Sequence, residues 1–142
     1  MIDLNGLSSK RGQISYVDSS NEFENLKFPI CGSGYFSPKV NGTHIVGSSY
    51  SDMKNDDIDE EEHKSNMEKL KTIHSFDVNI VNGKVGFRAV TKDRMPLVGV
   101  KKGIYVNTGH GSRGSTSSPL CAEIIADLID EKPLPVDDEI AN

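Results

Sequence analysis

The chain has 142 residues, with 16 Lys+Arg and 21 Asp+Glu, and its formal net charge is −5 at pH 7. This length suits one small domain or part of a larger one, and the acidic balance argues against a free-standing nucleic-acid-binding protein. No apolar run approaches the about 18 residues of a membrane-spanning helix. Cys31 and Cys121 match neither a disulfide framework nor a zinc spacing, so a cytoplasmic location and no metal are expected.

The first half of the chain carries the signals of short strands. Residues 13–17 alternate polar and apolar side chains, which predicts a strand. Residues 28–36 are apolar but broken by proline and glycine, which predicts one or two short strands with a turn. Asn41-Gly42 predicts a hairpin turn into a further strand over residues 43–47.

An acidic stretch over residues 52–62 precedes apolar residues at helical spacing. Carboxylates are favoured in the first turn of a helix, so a helix over about 58–73 is a better interpretation than a metal site or an acidic tail. Asp57 and Glu60 resemble a capping pair. The helix is expected to lie on a sheet with its charged side, including His63, in water.

The segments before and after Asn82-Gly83, residues 78–81 and 84–90, predict a hairpin with a type I′ turn. A further hairpin is predicted within residues 97–106, where Lys101-Lys102-Gly103 separates two apolar runs. The pattern thus contains more strand than helix, which indicates an α+β protein or a fragment of an α/β protein.

A helix is predicted to begin at Ser118, with Pro119 at its first helical position. Its apolar face is broad and includes Cys121; the other members are Leu120, Ile124, Ile125, Leu128 and Ile129. Both cysteines are expected to be small core residues rather than reactive thiols.

Residues 109–114 read G-H-G-S-R-G between a predicted strand and a helix, which matches the dinucleotide fingerprint G-x-G-x-x-G literally. That fingerprint also needs a second strand after the helix, with an acidic residue about 20 residues on, and the sequence after Gly114 does not provide it. Two interpretations stay open. Glycines ahead of a helix N-terminus allow a backbone to approach a negatively charged ligand, or they serve only to turn a strand into a helix.

Arg88 is the second candidate, because it alternates with Phe87 and Ala89 along a predicted strand. From the residues alone, a position on the wet face of a sheet is favoured over a carboxylate clamp, although arginine pairs with carboxylates bidentately. His110 and Ser112 do not form a hydrolase nucleophile elbow, because His110 occupies a position that needs glycine.

Several segments together resemble the FAD-dependent oxidoreductases of the D-amino-acid-oxidase type. Arg11-Gly12-Gln13 is similar to the stretch that starts the second half of such enzymes, and residues 86–99 resemble their G-x-R-x-x-T-x-D-x-x-P-x-x-G segment. Residues 109–123 resemble the G-S-R-G and A-P-L-x-A-E signature of the MnmC family of bifunctional tRNA-modifying enzymes. Residues 34–38 and 45–50 also fit that family's patterns.

The resemblance implies an FAD-dependent domain that removes the carboxymethyl group from 5-carboxymethylaminomethyl(-2-thio)uridine at the tRNA wobble position. It implies that Arg88 binds the substrate carboxylate, which reverses the preference for a surface role. The implied cofactor-binding residues beside the flavin are Gly109, His110, Gly111, Ser112, Arg113 and Gly114. No catalytic base is assigned, because hydride transfer to a flavin depends on orientation and electrostatics.

The fold implied by the resemblance is a partial D-amino-acid-oxidase-like α+β fold. Residues 1–90 would be part of the substrate domain, with an antiparallel or mixed sheet and a covering helix. Residues 91–142 would be the last strands and C-terminal helix of the FAD domain. The expected partners are tRNA, the amino-terminal half of the oxidoreductase and a methyltransferase domain, with no membrane partner. Two alternatives stay open: an oxidase or dehydrogenase of a small amino acid such as glycine or sarcosine, and a non-catalytic remnant of such an enzyme.

Overall fold

The computed structural model describes residues 4, 6–19, 23–75 and 77–137. The chain divides into two compact units, a central unit of residues 11–87 and a terminal unit of residues 1–10 and 88–142. The strands are β1 (Leu7–Ser19), β2 (Ile30–Cys31), β3 (Tyr35–Phe36), β4 (His44–Gly47), β5 (Val78–Thr91), β6 (Leu97–Lys101) and β7 (Ile104–Thr108). The helices are α1 (Glu60–Lys71) and α2 (Gly114–Ile129). The α+β class is confirmed.

A five-stranded sheet in the order β2-β3-β4-β1-β5 contains the predicted short strands. Strands β2 and β3 form the predicted turn-containing pair, and Phe36 of β3 lies opposite Val46 of β4. The turn between β3 and β4 has positive φ at Asn41 (51°) and Gly42 (87°), as a type I′ turn requires. Strand β1 is longer than the alternating residues 13–17 alone predict.

The predicted hairpin at Asn82-Gly83 is wrong, because residues 78–91 form one continuous strand, β5. Gly83 serves close packing instead of a turn: a Cβ atom at this position would lie 2.7 Å from Cε1 of His63. A side chain at residue 83 would therefore push the α1 histidine away from the strand. The Asn-Gly dipeptide is typical of a turn, but here the close packing of Gly83 against His63 accounts for the glycine.

Helix α1 confirms the helix predicted over about 58–73, and its acidic first turn agrees with the helix dipole. The predicted cap at Asp57 is wrong, because Asp59 is the N-cap residue. Its Oδ1 accepts hydrogen bonds from the backbone N–H groups of Glu61 at 2.7 Å and Glu62 at 3.1 Å. These bonds satisfy N–H groups that have no acceptor within the helix.

The apolar core of the central unit is formed by buried side chains from β1, β3, β4 and α1 together with Phe23; its members are Val17, Phe23, Phe36, Val46 and Leu70. The rings of Phe23 and Phe36 meet edge to face, with centroids 5.4 Å apart. Each fully buried side chain of this size contributes about 1.5–3 kcal/mol. Cys31, predicted to be a core residue, is exposed. Its neighbour Ile30 packs on the core, and adjacent strand residues point to opposite faces.

The terminal unit contains the predicted β6–β7 hairpin, in which Leu97 pairs with Thr108 and Lys101 with Ile104. Its turn has positive φ at Lys102 (52°) and Gly103 (75°). Helix α2 packs on both strands, with Cys121 and Ile124 buried. Burial raises the pKa of the Cys121 thiol, in line with its predicted core position.

The predicted start of α2 at Ser118 is wrong, because the helix begins at Gly114 and contains Pro119. The carbonyl oxygen of the N-cap residue Arg113 accepts hydrogen bonds from the N–H groups of Thr116 at 3.0 Å and Ser117 at 2.9 Å. The first turn thus forms ahead of the proline, whose missing N–H costs one hydrogen bond near the helix start. Among the described residues, neither helix is long and apolar enough to span a bilayer.

Candidate active site

The loop of residues 109–114 is hydrogen-bonded to the end of β5. His110 and Val90 form an antiparallel β-bridge, and the backbone N–H of Gly111 donates to the carbonyl oxygen of Ala89 at 2.9 Å. Both bonds lie within two residues of Arg88. The structure therefore brings together, within the terminal unit, the two segments that the sequence singled out separately.

Arg88 lies on the more covered face of β5. Its side chain is partly buried, whereas the preceding Phe87 is 47% exposed and the following Ala89 is also exposed. This alternation is the one that the sequence predicts. A partly buried guanidinium binds a carboxylate more strongly than a fully solvated one does, because water screens the charges less.

Two glycines of the loop have backbone conformations that favour glycine, with φ of 81° at Gly109 and 57° at Gly111. A Cβ atom at Gly109 would lie 3.1 Å from Cγ2 of Thr91, and one at Gly111 would lie 3.3 Å from Cγ1 of Val90. The loop backbone therefore lies directly on the end of β5. Larger residues would strain the backbone and lift the loop from this strand.

His110 fixes the loop between the strand that precedes it and the helix that follows it. Its Nε2 lies 2.8 Å from Oδ1 of Asn107, at the end of β7, and its Nδ1 lies 2.8 Å from Oγ of Ser117, in the first turn of α2. Sequence reasoning missed both partners. The serine and threonine residues after Gly114 were a signal for a hydroxyl partner of this histidine.

The turn after β5 is closed by two further hydrogen bonds. The Thr91 hydroxyl donates to the carbonyl oxygen of Met95 at 2.6 Å, and the Met95 N–H donates to Oδ1 of Asp93 at 3.0 Å. The Met95 N–H holds the pKa of Asp93 below its ordinary value, with the Thr91 hydroxyl as a second cause. A pocket of about 450 Å³ adjoins this turn and is lined by Gly6, Thr91, Lys92, Asp93 and Leu97.

Arg11 of the R-G-Q segment is fully buried in the central unit, where its guanidinium pairs with the Glu62 carboxylate of α1. It also donates to the carbonyl oxygens of Asn55, at 3.0 Å, and Asp57. Charged groups are buried at an acceptable cost only when they are paired and hydrogen-bonded. Arg11 is therefore a structural residue that holds the segment before α1 and the helix itself.

Glu62 accepts hydrogen bonds from two serine hydroxyls as well as from Arg11. Ser49 Oγ donates at 2.7 Å and Ser51 Oγ at 2.6 Å. Burial by itself raises the pKa of Glu62, but the two hydroxyls and the Arg11 charge outweigh burial and leave the pKa below its ordinary value. This carboxylate belongs to the core, so the expectation that the charged side of α1 lies in water is wrong for Glu62.

His63 is also buried, with 3% exposure, and the prediction of a solvated histidine is wrong. Its Nδ1 lies 2.7 Å from Oγ of Ser15, and Asn66 of the same helix donates to the carbonyl oxygen of Gln13 at 3.0 Å. The helix thus packs on β1 through polar side chains. Within the described ranges, no group of histidine, cysteine and carboxylate side chains has the arrangement of a metal site.

The loop fits one part of a flavin cofactor. A glycine-rich backbone directly ahead of a helix N-terminus can approach a planar ring closely and stabilise negative charge on it. The pyrophosphate site of a dinucleotide cofactor needs the strand that follows such a helix, and no strand follows α2 among the described residues. The loop therefore has the chemistry expected beside a flavin ring, whereas the described residues of the terminal unit lack the strand that a pyrophosphate site needs.

A family model described as FAD dependent oxidoreductase matches residues 3–128. The chain belongs to this family. Curated relatives include the bifunctional protein MnmC of tRNA 5-methylaminomethyl-2-thiouridine biosynthesis from Stutzerimonas stutzeri, which is 32% identical over 92% of this chain. The corresponding protein of Saccharophagus degradans is 31% identical over 84% of this chain. The chain spans about a quarter of the length of these relatives, 26% and 22% respectively.

Solved structures of two oxidases share the fold. An iminodiacetate oxidase from Chelativorans has a TM-score of 0.75 at 18% identity, covering 93% of this chain and 38% of its own. A glycine oxidase from Bacillus cereus has a TM-score of 0.73 at 22% identity, covering 98% of this chain and 40% of its own. The partial D-amino-acid-oxidase-like fold predicted from the sequence is thereby confirmed.

Proposed function

We propose that this chain is a portion of an FAD-dependent oxidoreductase that removes the carboxymethyl group from 5-carboxymethylaminomethyl(-2-thio)uridine in tRNA. The observation that carries the proposal is the attachment of loop 109–114 to β5 beside Arg88, through the 2.9 Å bond from Gly111 to Ala89. This bond attaches the loop to the strand one residue after Arg88, which supports a carboxylate-binding cation and a flavin-binding loop in one site. Oxidation of an amine that bears a carboxylate needs both groups close together.

Each candidate residue has a role in this proposal. Arg88 binds the substrate carboxylate, residues 109–114 lie beside the flavin ring, and His110 holds that loop through Asn107 and Ser117. FAD, when bound, supplies the group that accepts the hydride. Residues 1–90 are assigned to the substrate side and residues 91–142 to the FAD side. A cytoplasmic location and the need for an amino-terminal FAD-binding half are parts of the same proposal.

A second candidate is an oxidase of a small amino acid such as glycine. The fold likeness to the Bacillus cereus glycine oxidase favours it, and Arg88 would again bind the carboxylate. The MnmC relatives, at about 30% identity, favour the tRNA substrate over this alternative. A non-catalytic role of the chain is the third possibility, and it requires that Arg88 and the loop contribute nothing to turnover.

The substitution Arg88→Ala tests the substrate role in the flavin-loaded enzyme that contains this chain. We expect the KM for the modified tRNA to rise about 30-fold or more, because a bidentate charged contact contributes about 2–5 kcal/mol. Lys84→Ala, which removes an exposed cation from the same strand, is the matched control and should leave KM unchanged. An unchanged KM in the Arg88 variant would remove this residue from the substrate site.

The substitution Gly111→Val tests the flavin role of the loop. Its side chain would meet Val90 and displace the backbone, so we expect the purified enzyme to retain little flavin. Gly103→Val is the control, because Gly103 also has positive φ but has no atom within 4 Å of its Cβ position. Full flavin occupancy in the Gly111 variant would contradict the assignment of residues 109–114.

A further inference from the structure

The segment of sequence that contains the candidate site residues carries a net positive charge. Residues 88–114 contain six basic side chains and one acidic side chain, although the whole chain has a net charge of −5. The single acidic residue is Asp93, whose carboxylate accepts the N–H of Met95 within its own turn. The six basic residues are Arg88, Lys92, Arg94, Lys101, Lys102 and Arg113.

Three of these cations are exposed and lie on the two segments that are hydrogen-bonded to each other. Lys92 and Arg94 follow the end of β5, and Arg113 ends the loop that is bonded to it. Arg113 is two residues from Gly111, and Lys92 is two residues from Val90, which is bridged to His110. We name these three residues, Lys92, Arg94 and Arg113, the basic rim.

We propose that the basic rim binds backbone phosphates of an RNA on either side of the nucleotide whose side chain reaches Arg88. This inference rests on the proposed function and adds the surface that holds the macromolecular part of the substrate. Lysine and arginine are the residues that contact nucleic-acid phosphates, and such contacts position the substrate independently of its sequence. Arg88 alone would satisfy the single carboxylate of a small amino acid. The three exposed cations of the basic rim match the negative charge of an RNA backbone, which a small amino acid does not have.

The binding test uses the 142-residue chain and a fluorescently labelled, unmodified anticodon stem-loop RNA. Fluorescence anisotropy gives the affinity as a function of salt, and each phosphate contact contributes about 0.7–0.9 to the slope of log K against log salt. Binding weakens as the salt concentration rises, so this slope is negative. We expect each of Lys92→Gln, Arg94→Gln and Arg113→Gln to make the slope less steep by about 0.7–0.9. The triple variant should make the slope less steep by about 2.1–2.7 and weaken binding at least 10-fold at low salt.

Lys132→Gln is the matched control, since it also removes one exposed cation from the terminal unit. This residue lies beyond the far end of the 16-residue α2, a helix about 24 Å long. It should leave both affinity and slope unchanged. Circular dichroism of each variant checks that the fold is retained. If the triple variant is unstable, the slopes of the three single variants still test the proposal.

Equal slopes for the wild type, the rim variants and the control would overturn the proposal. Complete displacement of the RNA by FAD or pyrophosphate, at matched phosphate concentration and ionic strength, would overturn it too, by making the rim a cofactor-phosphate site. The flavin-loaded enzyme could oxidise modified tRNA while the rim variants bind RNA normally. In that case the basic rim does not bind RNA phosphates, and the proposed function stands. If the enzyme oxidises only glycine and the chain binds no RNA, the proposed function and the rim both fail.

Discussion

The central unit and the terminal unit differ in how their side chains are buried. The central unit buries five apolar side chains in one cluster, and beside β1 it buries a hydrogen-bonded polar network around Arg11 and Glu62. In the terminal unit, the buried apolar side chains among the described residues are Val90, Cys121 and Ile124. Its helix α2 leaves Leu120 and Ile129 44% and 55% exposed.

The charged side chains of the two units also differ in how exposed they are. The charged pair in the central unit is enclosed, and Glu62 also accepts hydrogen bonds from Ser49 and Ser51, so removal of one charge is expected to destabilise the fold. In the terminal unit, Lys92, Arg94 and Arg113 are exposed, and they lie in the glycine-rich loop or just after the strand end that is bonded to it. The residue type alone does not reveal which of these charges is enclosed and which is exposed.

The largest effect is expected from breaking the buried pair. Glu62→Gln leaves the Arg11 guanidinium buried without its counter-charge, and we expect the free energy of unfolding to fall by about 3–5 kcal/mol. Urea denaturation measures the loss. Lys64→Gln, which breaks an exposed pair with Glu61, should leave the urea midpoint unchanged. Equal midpoints for the wild type and the Glu62 variant would show that the network does not hold α1.

Truncating one core residue in each unit sharpens the comparison. Leu70 is 2% exposed in the cluster of the central unit, and Ile124 is 7% exposed on α2. Leu70→Ala should cost about 2–5 kcal/mol, with Ile124→Ala at the lower end of that range because fewer buried side chains surround it. Thermal unfolding of both variants measures which substitution destabilises the fold more. A larger loss at Ile124 would mean that the terminal unit carries the main core.

Two glycines of the same strand provide a smaller and closely matched test. A methyl group at Gly83 would lie 2.7 Å from the His63 ring, whereas one at Gly86 would have no atom within 4 Å. We expect Gly83→Ala to destabilise the fold by about 1–3 kcal/mol through overpacking, and Gly86→Ala to be neutral or slightly stabilising. Chemical denaturation compares the two. Equal costs would argue against the close contact between β5 and α1.

The smallest effect is the pH dependence that Glu62 contributes. Its pKa is lower in the folded state than in the unfolded state, so its stabilisation is complete above the ordinary glutamate pKa of about 4.3. The stabilisation disappears as the pH falls through the folded-state pKa. Urea midpoints measured from about pH 6 to about pH 3 should fall more steeply for the wild type than for Glu62→Gln. Parallel curves would contradict the direction of the shift.

The sequence pattern predicted turns and a helix start correctly where the structure depends on residues that are close together in the sequence. Asn41-Gly42, Lys102-Gly103 and the acidic start of α1 all occur where the pattern predicts them, because turn and cap chemistry is local. Asn82-Gly83 carries the same turn signal and yet lies inside a strand. The contact with His63, from a helix about 20 residues earlier in the sequence, accounts for that glycine and is not visible in the local pattern.

The candidate site was only partly predictable for the same reason. Arg88 and residues 109–114 could be selected from the sequence, but their hydrogen-bonded attachment joins segments about 20 residues apart. Pro119 suggested a helix start, while the helix begins at Gly114 because the Arg113 carbonyl closes the first turn. Burial of Glu62 and His63 depends on the polar side chains of β1, and the sequence of α1 alone gives no sign of it.

The most direct test of the central claim is anaerobic reduction of the bound flavin, followed by visible absorption in the flavin-loaded enzyme that contains this chain. Three substrates are compared: tRNA carrying 5-carboxymethylaminomethyluridine, glycine and sarcosine. The proposed function predicts rapid bleaching by the modified tRNA, little bleaching by either amino acid, and loss of the rapid phase in Arg88→Ala. Bleaching by glycine or sarcosine with no response to the modified tRNA would contradict it.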